Sequence, residues 1–544
     1  MAYLNKNTAP LTAKTAAHLL RRATFGPTQQ EIQDFVGLTP TQAVQKLIAN
    51  VSVTLDSSQP IDLDAASPGF GNTYIGLPFN LSREFDLSIY VSYWWVGLMT
   101  EQNGKPSLLE KLTAFWQNHW VVVQTEIGDY RMIYQYLQLL RHSCLGNFRT
   151  LAIEMTKNAG MLLYQNGNTN EKEHPNENYA RELQELFVVG QKDFYGNLNY
   201  TEQDVKEAAR VLTGWEVVNH RVVNSISVDA KFTPTRHDTE SKTFSAKYLS
   251  KSIAGRSGSS AGLDELTDLI NILLEHPETP KFLCRKLYRW YVNPNVTEEI
   301  ENNVIIPLAQ IFAGSQNNYA IQPILEILLT SDIFYDQANI GAITKAPADL
   351  LVGTVRFFNQ PVPNIKTDSA AFKELIEWMK RGIRIMQQDI LDHPSVFGYP
   401  PYYQIGYSKN WINGATLYQR GEYTDSFVWP WKQIKPGYKL GIDILAWVKS
   451  LQPNFSDVAG TPAITCVDVL NGLTKNLFAV DLFQSQRDFL IDTIMMQGIS
   501  RNSWIIEWNG YRSNPSNENN TNACRYRCQV LMEYMLRMAE YHIF

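Results

Sequence analysis

The 544-residue chain is 44% hydrophobic and 19% charged, the composition of an ordinary globular protein able to bury a large core. Its net charge of −6, with no long basic run, argues against a nucleic-acid partner, because phosphate binding needs concentrated positive charge. Five cysteines in so long a chain exclude a disulfide framework and fit reduced thiols.

The first twenty residues lack the basic region, apolar stretch and small-residue cleavage site of a secretory signal, which favours the cytoplasm for the chain as given. Residues 18–23 and 29–36 read as short amphipathic helices, and Thr39 with Pro40 opens a third. Arg21 and Arg22 can anchor an acidic partner helix. A surface pair is the competing reading, because adjacent helix positions do not both face inward. Residues 51–80, rich in Asp, Ser, Pro and Gly, read as a long surface loop. The apolar run at 87–99 is too short to span a bilayer and reads as a buried helix, so no transmembrane segment is expected. A helix after Pro106 ends with His119, which follows Phe115 and Trp116 at i+4 and i+3 and so lies beside aromatic rings. Such a histidine is usually a hydrogen-bonded core residue, and becomes chemically interesting only by meeting His174, Glu177 or Glu182 in space.

The richest stretch is 174–215. Asn178, Arg181, Glu182 and Glu185 fall at i, i+3, i+4 and i+7, placing four polar side chains on one helical stripe opposite Tyr179, Leu183, Leu186 and Phe187. Asn176 can cap this helix and Gly190 can end it, while Thr201 with Asp204 forms a capping box for a second helix closed by Gly214. Beyond it, residues 217–244 change to β-branched, alternating character and predict a small ribbon, which delivers Arg236, His237, Asp238 and Lys242 on a loop. Residues 254–262 read as a flexible linker; the match to a nucleophile elbow around Ser260 is of the kind that small-residue runs produce by chance. Successive helices follow at 263–275, 280–292, 300–312, 321–334, 347–358 and 370–386. Residues 392–431 are rich in Tyr, Trp, Gly and Pro, including Trp411, and either line a groove or stiffen a long loop by aromatic packing.

Several long segments carry a family resemblance: HLLRRATFGPT at 18–28, EKLTAFWQNHW at 110–120, NENYARELQELF at 176–187, RHDTESKTF at 236–244 and HPETPKFLCRKLYRWYV at 276–292. Together they resemble the bacterial "domain of unknown function 1800" family over most of the chain. The resemblance implies export of many members, hence a periplasmic or envelope location where a signal has been removed. It also implies a partnership with alkaline-phosphatase-like or sulfatase-like proteins, and it implies no chemistry for this chain.

The fold expected is therefore mainly α, a large multi-helix globular unit over 1–544 with a minor β element around 217–245; a division into two lobes would fall at 1–250 and 263–544. For function, His119, His174 and Glu177 are the candidate ligands of a divalent zinc, iron or manganese ion, since imidazole and carboxylate suit these metals and helical bundles project such ligands inward. His237, Asp238 and Glu182 are the candidate catalytic groups, with Glu182 expected to be buried against Arg or His. Arg181, Arg236 and Trp411 are the candidate substrate contacts. Each set has a plain structural counterpart: an ion-paired helix stripe, a loop clamped by salt bridges, an aromatic core. The expected function is a metal-assisted hydrolytic or oxidative enzyme near 174–185, and the alternative is a non-catalytic scaffold that binds a partner protein or polymer through aromatic loops.

Overall fold

The structure, a computed structural model, describes residues 2–55, 59–101 and 105–544. Helices dominate it, and the strands are three short antiparallel two-stranded ribbons. One hydrophobic cluster runs from Leu11 to Tyr541 and gathers side chains from helices at both ends of the sequence. Among the described residues, no helix is long and apolar enough to cross a membrane.

The central pair of helices begins and ends where its caps dictate. The Asn176 side chain accepts from the Asn178 N–H at 2.9 Å and starts the helix Glu177–Glu182. That helix then widens into a π-turn at Leu183–Val188 and stops at Gly190, whose φ of +88° suits a residue without a side chain. Thr201 and Asp204 exchange the two bonds of a capping box at the head of Glu202–Val211. Strands β1 (Trp215–Val218) and β2 (Asp229–Phe232) form the expected ribbon, with Trp215 opposite Phe232. A second ribbon, β3 (Lys242–Thr243) with β4 (Ser252–Ile253), follows at once and had no signal in the alternation pattern.

Three expectations need correction. The helix Pro40–Leu55 continues past residue 51, so the loop starts later than its composition implies. Residues 56–58 lie outside the described residues, and 59–80 is held by bridges Ile61↔Thr73 and Asp62↔Phe70 and by the Arg83–Asp62 ion pair at 3.0 Å. Residues 254–262 are tied down rather than loose: the Arg256 N–H donates to Glu265 at 2.7 Å and its guanidinium pairs with Asp268. Arg21 and Arg22 are both buried, at 8% and 0% exposure, because neighbouring segments cover their helix on both sides. Arg22 spends its charge on the backbone carbonyls of Tyr291, Val292 and Asn339 rather than on an acidic helix.

Candidate functional site

On the 177–188 stripe, three of the four polar side chains are satisfied. Arg181 bridges to Glu202 at 2.8 and 2.7 Å and more loosely to Glu177 at 3.4 Å. Asn178 donates to the Gln165 side-chain oxygen at 3.0 Å, and Glu185 accepts from the Tyr200 hydroxyl. Glu182 differs. Its Oε2 is buried and, among the described residues, has no hydrogen-bond partner, and the expected pairing with Arg or His is not made. Burial, reinforced by the charge of Glu185 and only partly offset by Arg181, raises its carboxyl from 4.5 to about 7. The Nε2 of Gln165, from the segment facing Asn178, is likewise buried and unpartnered. An amide donor and a carboxyl oxygen therefore meet the same stripe without protein partners.

With this stripe in place the landmark segments can be assigned. The chain matches, over residues 18–543, the family described as "Protein of unknown function (DUF1800)". It belongs to that family. No curated protein and no solved structure matches the chain.

The family segments do not assemble the expected metal set. Among the described residues there is no group of three or more His, Cys, Asp or Glu able to hold a metal ion. His119 is buried among aromatic rings, its Nε2 on the Phe187 carbonyl at 2.8 Å and its Nδ1 accepting from Lys286 Nζ at 2.9 Å. Both ring nitrogens are occupied, and burial together with the Lys286 charge holds the imidazole well below its usual range, neutral. His174 is exposed in the turn that bridges Glu171 to itself, and Glu177 pairs with Arg181. These three side chains thus face different surroundings.

The 236–242 loop also resolves into structure. His237 and Asp238 are not a dyad, because successive residues here point apart. Asp238 grips Arg210 at 2.7 Å. His237 is buried, with Nδ1 against the Thr213 carbonyl at 3.0 Å and Nε2 at 3.3 Å from Glu265, near enough for attraction but poorly aligned for a hydrogen bond. Lys242 donates to Glu265 at 2.6 Å. Burial opposes the charge of Glu265, yet His237 and Lys242 together hold its carboxyl below the usual value. Arg236 joins Glu171 and Glu216. The result is a salt-bridge clamp that closes the β1–β4 region onto the helix Ala261–Glu275. Trp411, expected as a groove contact, is 3% exposed and packs with Tyr399 and Ala346.

Sequence reasoning missed the partners of this stripe: Gln165 at Asn178 and Tyr200 at Glu185 come from flanking segments whose distance in space no spacing rule encodes. It also missed a second polar centre, where Arg21, Lys345 and Asp349 line one small cavity. The adjacent Arg21 and Arg22 were its only local sign.

Proposed function

We propose that the protein is an acid–base enzyme of hydrolytic type working at the Glu182–Glu185 pair. The observation that carries this reading is the Glu182 Oε2, buried and unbonded, on a carboxyl raised to about 7. A carboxyl poised there is half protonated at neutral pH and can give a proton to a leaving group and recover it from water. Glu185, held by the Tyr200 hydroxyl, is the second carboxyl of the pair, and two neighbouring carboxyls in different settings can divide the roles of acid and base. Gln165 Nε2 is available to orient a polar substrate group.

The experiment assays the wild type and Glu182→Gln on chromogenic phosphoester, sulfate ester, carboxyl ester and glycoside substrates from pH 5 to 9. Each assay is run with and without added zinc, manganese or iron(II). The expected result is turnover in one class that falls as pH rises past about 7 and drops roughly a hundredfold or more in the variant. In parallel, the carboxyl carbon resonance of Glu182 should titrate near 7. Titration near 4.5, or equal turnover in the variant, overturns the reading. A scaffold role is the second reading, supported by the exposure of Ile405, Tyr418 and Trp431 at 80%, 63% and 62%.

A further inference from the structure

The cavity bounded by Arg21, Lys345 and Asp349 is built from distant segments. Arg21 closes the helix Ala13–Ala23, and the chain then turns at Gly26 with φ +102°. A Cβ on Gly26 would lie 2.8 Å from the Gly353 Cα, so this turn needs glycine to lie against the helix Pro347–Phe357. Asp349 projects from the first turn of that helix, and Lys345 precedes it. Phe25, Phe357 and Phe544 supply apolar wall. The space measures about 30 Å³. At roughly 10–15 Å³ per water on this measure, it holds two or three waters or one small ion.

Its charges do not balance. Arg21 and Lys345 line the cavity, and Arg22, Lys111 and Arg420 are buried close to Asp349. Burial disfavours the charged form of each and holds Lys345 well below the ordinary lysine value, while Asp349 partly offsets this for Arg22, Lys111, Lys345 and Arg420. Asp349 is already engaged by Lys111 Nζ. Arg22 and Arg420 lean on backbone carbonyls, and each keeps a buried Nε without a partner. Lys345 Nζ sits 4.1 Å from the centre of the Tyr541 ring and, among the described residues, makes no hydrogen bond or ion pair. The nearby His542 is no source of negative charge; burial, Arg420 and Lys345 lower it to about 3, so it stays neutral. Burying an ion is costly unless a counter-charge meets it, and among the described residues Asp349 is the side-chain carboxylate acting on these basic groups.

We propose that this cavity is a binding site for a small oxyanion of phosphate or sulfate size, with Lys345 Nζ as its principal contact. The anion supplies the missing negative charge, and the aromatic walls lower the local dielectric and strengthen the attraction. The site is separate from Glu182 and stands whether or not the carboxyl pair is catalytic.

The test uses the full chain at pH 7. Inorganic phosphate and sodium sulfate are titrated against sodium chloride at matched ionic strength while the melting temperature is followed, and equilibrium dialysis with labelled phosphate counts bound ions. The expected result is a saturable rise in melting temperature with the oxyanions, no matching rise with chloride, and one phosphate per chain. Lys345→Met should lose the rise and Lys345→Arg should restore it. Absence of binding by the wild type, an equal effect of chloride, or an unchanged rise in a folded Lys345→Met overturns the proposal. Should Lys345→Met not fold, wild-type dialysis alone decides.

Discussion

Two buried lysines separate the two polar centres of this protein. Lys242 is fully buried, bonds to Glu265 at 2.6 Å and has a second contact to the Asp238 carbonyl. Lys345 is 8% exposed and faces an aromatic ring and the cavity that Asp349 also lines, with no carboxylate among the described residues in hydrogen-bond reach. Burial alone therefore does not distinguish a structural charge from one that awaits a ligand. The presence of a committed counter-charge does. By that criterion the His237 loop is a fastener, the Lys345 cavity is a site, and Glu182, half-buried with an Oε2 that has no hydrogen-bond partner among the described residues, belongs with the second kind.

The comparison breaks first at the fastener. Glu265→Gln strands Lys242 in the interior and should cost about 3–5 kcal/mol of stability in chemical denaturation. Retention of wild-type stability would mean that the clamp carries no energy. At the cavity the opposite sign is expected: Lys345→Met removes an ammonium whose charge burial disfavours and, in buffer free of phosphate and sulfate, should be neutral or stabilising by on the order of 1 kcal/mol. A loss as large as that of Lys242→Met would erase the distinction between the two lysines.

Glu182 adds a pH dependence of defined sign. Its folded carboxyl is raised from 4.5 to about 7, so between these values the folded state keeps a proton that the unfolded chain has released. Stability from this group is complete below pH 4.5 and is lost as pH rises through about 7. The group is only partly buried, so solvent screening reduces the effect to on the order of 1 kcal/mol. Glu182→Gln should flatten that part of the stability profile. The smallest effect belongs to a charge that is matched but solvated. Arg181→Ala, at the exposed Glu202 pair, should cost about 0.2–1 kcal/mol and less at high salt.

Local pattern carried far along the central helices. Asn176, Thr201 with Asp204, and Gly190 set their boundaries because caps satisfy backbone groups within a few residues. The 178–185 stripe was legible from its spacing, and so was the ribbon from its β-branched alternation. Composition misled where a second contact intervened: residues 254–262 look like a linker until Glu265 and Asp268 hold Arg256, and Trp411 looks like a groove residue until Tyr399 covers it.

What the sequence determined by itself was the helical frame, the ribbon and the identity of the charged side chains, since each depends on neighbours within a turn or two. Which charges meet was decided only by the tertiary structure. Lys345 has Asp349 four residues on, yet Asp349 bonds to Lys111, 238 residues away in the chain. Lys242 has Asp238 four residues back and only 3.8 Å away, yet Asp238 grips Arg210 more closely at 2.7 Å and Lys242 finds its nearer carboxylate 23 residues ahead in Glu265 at 2.6 Å. Coulomb attraction depends on separation through space and on the exclusion of water, and both are set by how the helices pack. The same packing leaves the Lys345 ammonium and the Glu182 Oε2 without a hydrogen-bond partner among the described residues.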